Sequence, residues 1–154
     1  MARITYREAA YEAIRACLEA GVADVAVERN RRTLIREGEN RVLVLRDGDQ
    51  SSAPDAVGED RFTVQGTLEG FVEGEDAEVG DLVSALYGEA AEALLRGPIP
   101  LGDGLTEIYP VEGNMDLDLA SVTESQTPVG AFYLEFTFDL RVPFGRRFLD
   151  TPEA

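Results

Sequence analysis

The residues best suited to chemistry in this chain are close pairs of carboxylates, such as Asp116 with Asp118 and Glu73 with Glu75. Two carboxylates so placed could divide the roles of general acid and general base, or hold a hard cation between their oxygens. The calcium-loop pattern is absent, however, and each pair sits in a glycine-containing acidic stretch, which reads as a solvated loop. The chain has no His, and all fourteen of its basic residues are Arg. That removes the commonest general base, the commonest zinc ligand, Schiff-base chemistry and the phosphate-binding lysine of a P-loop. Neither G-x-G-x-x-G nor G-x-S-x-G occurs. Cys17 is the only cysteine, so an intrachain disulfide, a redox pair and a thiolate zinc site are all excluded. It falls on an apolar helical stripe with no His to activate it, and so reads as a buried structural thiol. The sequence therefore predicts no catalytic, cofactor-binding or metal-binding residue.

Arg29, Arg31, Arg32 and Arg36 form the one basic concentration. Without interleaved aromatics, and on a chain of net charge −16, they make a poor nucleic-acid surface. A guanidinium pairs bidentately with carboxylates, so the cluster suits contact with acid on a neighbouring subunit. Charge is unevenly distributed along the chain. Residues 1–46 carry nine Arg against seven acids, residues 47–140 two against twenty-one, and residues 141–154 three against two. Like subunits of this charge repel, so an oligomer needs acid-to-arginine pairing or counterions.

The elements that must position these groups follow from periodicity. Thr5 with Glu8 forms a capping box, Ile4 is placed as a staple, and Gly21 is expected to supply a left-handed end to a helix beginning at Tyr6. Tyr6, Ala10, Ala13, Ile14, Cys17 and Leu18 make its apolar stripe, which leaves Arg7, Glu8, Glu12, Arg15 and Glu19 for solvent. Val22–Glu28 predicts a short strand. Arg41–Asp47 has a continuous apolar centre, as expected of a strand buried on both faces. Gly48–Asp60 is polar and turn-rich and predicts a mobile loop. From Arg61 to Val72 the residues alternate, with Phe62, Val64, Leu68 and Val72 on one face. Gly66 and Gly70 share that face and suggest a bulge, a bend or a closely packed helix. A second helix is expected after an N-cap at Asp76, with Val79, Leu82, Val83, Leu86, Ala90, Ala93 and Leu94 as its stripe and a stop at Gly97-Pro98. A strand over Leu105–Val111 precedes an irregular acidic stretch over Glu112–Thr127. The last strand, Gly130–Val142, alternates cleanly and buries Phe132, Phe136 and Phe138. The economical arrangement is one α+β domain, with two amphipathic helices on one face of a mixed, mainly antiparallel sheet of about four or five strands.

Taken together, several features resemble the tail terminator (minor tail protein U-like) proteins of long-tailed phages and gene transfer agents. They are the opening helix Tyr6–Ala20, the strand leading into Arg29-Asn30-Arg31-Arg32, and the strand Val42 to Gly48. They continue with Leu68-Glu69-Gly70-Phe71-Val72 before an acidic turn, the long second helix, and the finish from Pro128 to Phe136. The resemblance implies a helices-on-sheet fold and a non-enzymatic virion protein. It further implies a hexameric ring on the head-proximal end of the tail tube, which stops tube growth and meets the head-tail connector. The partners so implied are the chain itself, the major tail tube protein and the connector, with assembly in the bacterial cytoplasm. Six such copies would carry six times −16, or −96. Acid from Glu73, Glu75, Asp76 and Glu78, or from Glu112, Asp116 and Asp118, is expected to line an opening through which DNA passes without sticking. Another tail or neck protein, such as a tube subunit or a head-completion protein, is the alternative. A small acidic ligand-binding domain or enzyme is a more distant one.

Overall fold

The computed structural model describes residues 3–33, 35, 38–53, 58–75, 77–119 and 129–149. A first helix, α1 (Tyr6–Gly21), leads to strands β1 (Ala26–Arg29), β2 (Arg41–Ala53) and β3 (Glu59–Glu73). The second helix, α2 (Val79–Leu95), is followed by β4 (Ile99–Pro100), β5 (Glu107–Ile108), β6 (Val111–Asp118) and β7 (Val129–Pro143). Five strands form one sheet in the order β1-β2-β3-β7-β6, while β4 and β5 form a separate two-stranded ribbon. Among the described strands only β1 and β2 pair in parallel. The α+β arrangement expected from periodicity is the observed one.

Alternation decides which side of the sheet the helices cover. Leu43 and Leu45, Phe62, Val64, Leu68 and Val72, and the run Phe132, Leu134, Phe136, Phe138, Leu140 and Val142 all enter one core with the stripes of both helices. Phe132, Phe136 and Phe138 are at most 1% exposed, and each such burial contributes on the order of 2 kcal/mol. On β2, Val42 and Val44 are buried as well, as predicted for that strand.

Gly66 and Gly70 have a specific explanation. Each lies directly opposite a phenylalanine of β7, Gly66 against Phe136 and Gly70 against Phe132. A side-chain carbon at either position would collide with the facing ring. The rings fold across the strand onto bare backbone, so the cause is aromatic cover from the neighbouring strand. The one bulge on β2 lies between Asp47 and Gln50. There the hydroxyl of Tyr11, from α1, donates to the Gln65 carbonyl at 2.6 Å and accepts from the Gly48 amide at 3.1 Å. This satisfies backbone groups next to the ladder interruption.

Several sequence expectations are corrected. Thr5 caps α1, its hydroxyl accepting the Glu8 amide at 3.0 Å, but Gly21 remains helical. Its missing side chain serves close approach instead, since a carbon there would lie 2.6 Å from Ala93 Cβ on α2. Left-handed backbone appears at Asp24 and Asn30. Asp76 lies outside the described residues, and the residue capping α2 is Glu78, whose side chain makes no capping bond. Much of the expected loop at 48–60 is strand, because β2 resumes pairing after its bulge and continues to Ala53, opposite Arg61; residues 54–57 lie outside the described set. The expected strand over Leu105–Val111 divides at Pro110, with Glu107–Ile108 pairing to β4 and Val111 opening β6. Glu112–Asp118 is also strand, with a register shift between Glu112 and Met115. As an edge strand it buries little, which accounts for its weak periodicity; residues 120–127 lie outside the described set. Cys17 is half-buried and packs against the core. Burial raises its thiol pKa, with Arg96 nearby opposing the shift.

Candidate assembly surface

The four arginines expected at a subunit seam divide into three kinds. Arg29 is almost enclosed, with 12% of its side chain exposed. It donates to Glu12 at 2.8 Å and to Glu8 on α1, and to both oxygens of Asp47 on β2 at 2.8 and 2.9 Å. Its guanidinium also lies 5.2 Å from the centre of the Tyr11 ring. Burial disfavours the charge, but the hydrogen bonds it donates to Glu8, Asp47 and Glu12 outweigh that and raise the pKa further above its ordinary value. The arrangement ties α1 to the sheet. Arg31 is 8% exposed and donates to Glu28 at 2.9 Å and to Glu39 at 2.8 Å. Arg32 is exposed. Arg36 lies outside the described residues. Two of the four are thus committed to carboxylates of their own chain; for Arg29 sequence spacing could not reveal this because Glu8, Glu12 and Asp47 are distant in sequence.

The two acidic sets approach each other at one end of the sheet through Asp118, while Glu112 lies further along the outer strand. Glu73 ends β3 opposite Val129, and Asp118 ends β6 opposite Ala131, so both stand at the same end of the sheet. The start of α2 packs over that end: a side-chain carbon on Gly130 would strike Val79 and Val83. This brings exposed Glu75 and Glu78 to the same place. Glu73 accepts from the Gly38 amide at 3.3 Å. Along the outer strand, Asp116 is exposed and Glu112 accepts from the Tyr87 hydroxyl. That carboxylate holds the phenol proton and raises the Tyr87 pKa. Among the described residues, no three His, Cys, Asp or Glu side chains converge to hold a metal ion.

Exposed apolar side chains occur at this end of the sheet and at the opposite one. Leu82 is 38% exposed although it falls on the α2 stripe, and Leu117 and Leu119 on the outer edge are 52% and 48% exposed. At the opposite end of the sheet, Phe144 and Leu105 are open to solvent. There a cavity of about 180 Å³ lies beside the first turn of α1, with Arg7, Arg146 and Arg147 in its lining. Arg147 pairs with Asp60 at 2.8 Å. Asp60 also accepts the Gly145 amide, and these two partners lower its pKa. Sequence reasoning missed this second arginine group because its members come from both ends of the chain. The closeness of Ile4 and Leu149, whose backbones bond at 2.8 Å, is what unites them.

No protein-family model matches the chain, and no curated protein matches it. Among solved structures it is similar to a sheath/tube terminator of an extracellular contractile injection system (PVC), captured in the extended state. The TM-score is 0.54 at 14% identity; the likeness covers 95% of this chain and 60% of that protein. The shared feature is therefore the fold.

Proposed function

We propose that this chain is a tail terminator: a structural protein whose copies form a ring on the head-proximal end of a tail tube, stop its growth and present a surface to the head connector. The observation that carries this reading is a likeness over 95% of the chain to a sheath/tube terminator. The independent sequence resemblance, running from the opening helix to the final strand, supports the same reading. A hexamer is the ring size that the resemblance implies. Acid at the end of the sheet where α2 begins, together with Glu112 and Asp116 on the outer strand, is proposed to face the opening and repel DNA phosphates.

The decisive experiment is a tube-polymerisation assay, with length distributions measured by electron microscopy with and without this protein. A terminator caps one end and shortens the distribution. A tube subunit instead polymerises by itself into open stacks. Protein that neither binds tube ends nor changes tube length would defeat the reading.

A further inference from the structure

We infer that copies of this chain join head to tail, with Leu82 at the start of α2 of one copy entering the arginine-rimmed cavity beside α1 of the next and Leu119 packing at its edge. This rests on the ring reading and names the seam within it. The cavity is apolar at its floor, where Phe62, Leu140 and Val142 contribute, and its charged lining residues are Arg7, Arg146 and Arg147, of which Arg147 also pairs with Asp60 at 2.8 Å and lies over the Phe62 ring. Its volume of about 180 Å³ suits one aliphatic side chain, given that an apolar cavity of about 150 Å³ accepts benzene.

The other half of the seam has the complementary character. Leu82 lies over Gly74 and Leu119 over Gly130, each beside Val79. Both are exposed, at 38% and 48%. Acid surrounds them: Glu78 caps the helix, Asp81 stands in its first turn, and Asp118 precedes Leu119. A leucine flanked by carboxylates matches an apolar pocket flanked by guanidinium groups, which engage carboxylates in directed pairs. This places unlike charges together in a molecule whose net charge of −16 otherwise drives copies apart.

The two halves of the seam stand at opposite ends of the sheet. Gly130 at the leucine end and Val142 at the cavity are twelve residues apart on β7, roughly 40 Å of extended strand. A two-fold dimer would have to make both contacts at once across that span, whereas one contact per junction repeats head to tail and gives a ring where the rotation between copies closes. Glu78 and Asp118 then belong to the seam, while Glu73, Glu75, Glu112 and Asp116 remain for the opening.

Two charge-reversed proteins test the seam: Glu78→Arg with Asp81→Arg, and Arg146→Glu with Arg147→Glu. Circular dichroism checks folding, and native mass spectrometry reads assembly at a concentration where most wild-type protein is oligomeric. Each variant alone should stay monomeric, and an equal mixture should recover oligomers containing both in equal number. Because Arg147→Glu disturbs the pair with Asp60, Leu82→Asn with Leu119→Asn provides a third protein, altered only at exposed positions and expected to lose assembly. Variants that assemble like wild type, or a mixture that stays monomeric, overturn the seam. Tube-length assays on wild type separate the two claims. If wild type caps tubes while the variants assemble normally, the seam is wrong and the terminator reading stands; if wild type neither assembles nor caps, both fall.

Discussion

Tyr11 is fully buried, yet its hydroxyl serves two backbone groups at the β2 bulge, accepting from Gly48 and donating to Gln65. Burial raises its pKa, with the Gly48 amide and Arg7 opposing the shift. Replacing Tyr11 by Phe keeps the ring and removes both bonds, so chemical denaturation should show a loss of about 1–3 kcal/mol. Asp103 illustrates the opposite shift. Its carboxylate accepts the Leu105 and Thr106 amides at 2.9 and 2.7 Å and the Thr106 hydroxyl at 2.6 Å. Burial alone would raise its pKa, but those bonds, the Thr106 hydroxyl first, lower it. A carboxylate with a depressed folded pKa stabilises the fold above its unfolded value and loses that contribution as pH falls through the folded one. Amide exchange at Leu105 and Thr106, corrected for intrinsic rates, should therefore rise only below the ordinary Asp range, near pH 4. Asp103→Asn should show no such acid step.

At the scale of elements, the sequence declared whatever packs by a simple period. The stripe of α1, the apolar centre of β2 and the six alternating residues of β7 all entered the core. It was silent where neighbours set the pattern. β6 lies at an edge with little to bury, so its seven-residue span from Glu112 to Asp118 resembled a loop. Leu82 obeys helical spacing but lies beyond the cover of the sheet. Gly66 and Gly70 were recognisable as anomalies, though their reason was two rings on a strand more than sixty residues away. Gly70→Ala should destabilise by about 1–3 kcal/mol through overpacking. Pairing it with Phe132→Leu should recover part of that loss, because the smaller side chain yields the space. Equilibrium unfolding of the two single variants and the double variant gives the coupling. The arginine cluster was legible as basic residues but not as partners, since Arg29 meets acids from α1 and β2 only after folding.

For the molecule as a whole, charge sets the conditions for association. Copies of net charge −16 repel over distances greater than a contact, while arginine-carboxylate pairs at a seam attract at short range. Salt near 0.1 M shortens the screening length to about 10 Å and weakens the first effect more than the second. Oligomer yield should therefore pass through a maximum as salt rises from very low to molar concentration, measurable by sedimentation velocity. A steady fall from the lowest salt would mean that seam pairing dominates repulsion everywhere.

The position of β7 also governs how the chain reaches its fold. Among the described strands it is the last in sequence, yet it lies between β3 and β6 and pairs with both. Until it inserts, β6 has no described neighbour in the sheet and the core lacks three of its four buried phenylalanines, Phe62 on β3 being the fourth. During synthesis, residues up to Asp118 can leave the ribosome without completing the sheet. Folding must wait for a segment whose partners lie far back in the chain, an arrangement that slows collapse to a single state. On the proposed terminator role, a copy would become competent to join its neighbours late and in one step, so half-made chains would have no finished surface with which to enter a growing particle.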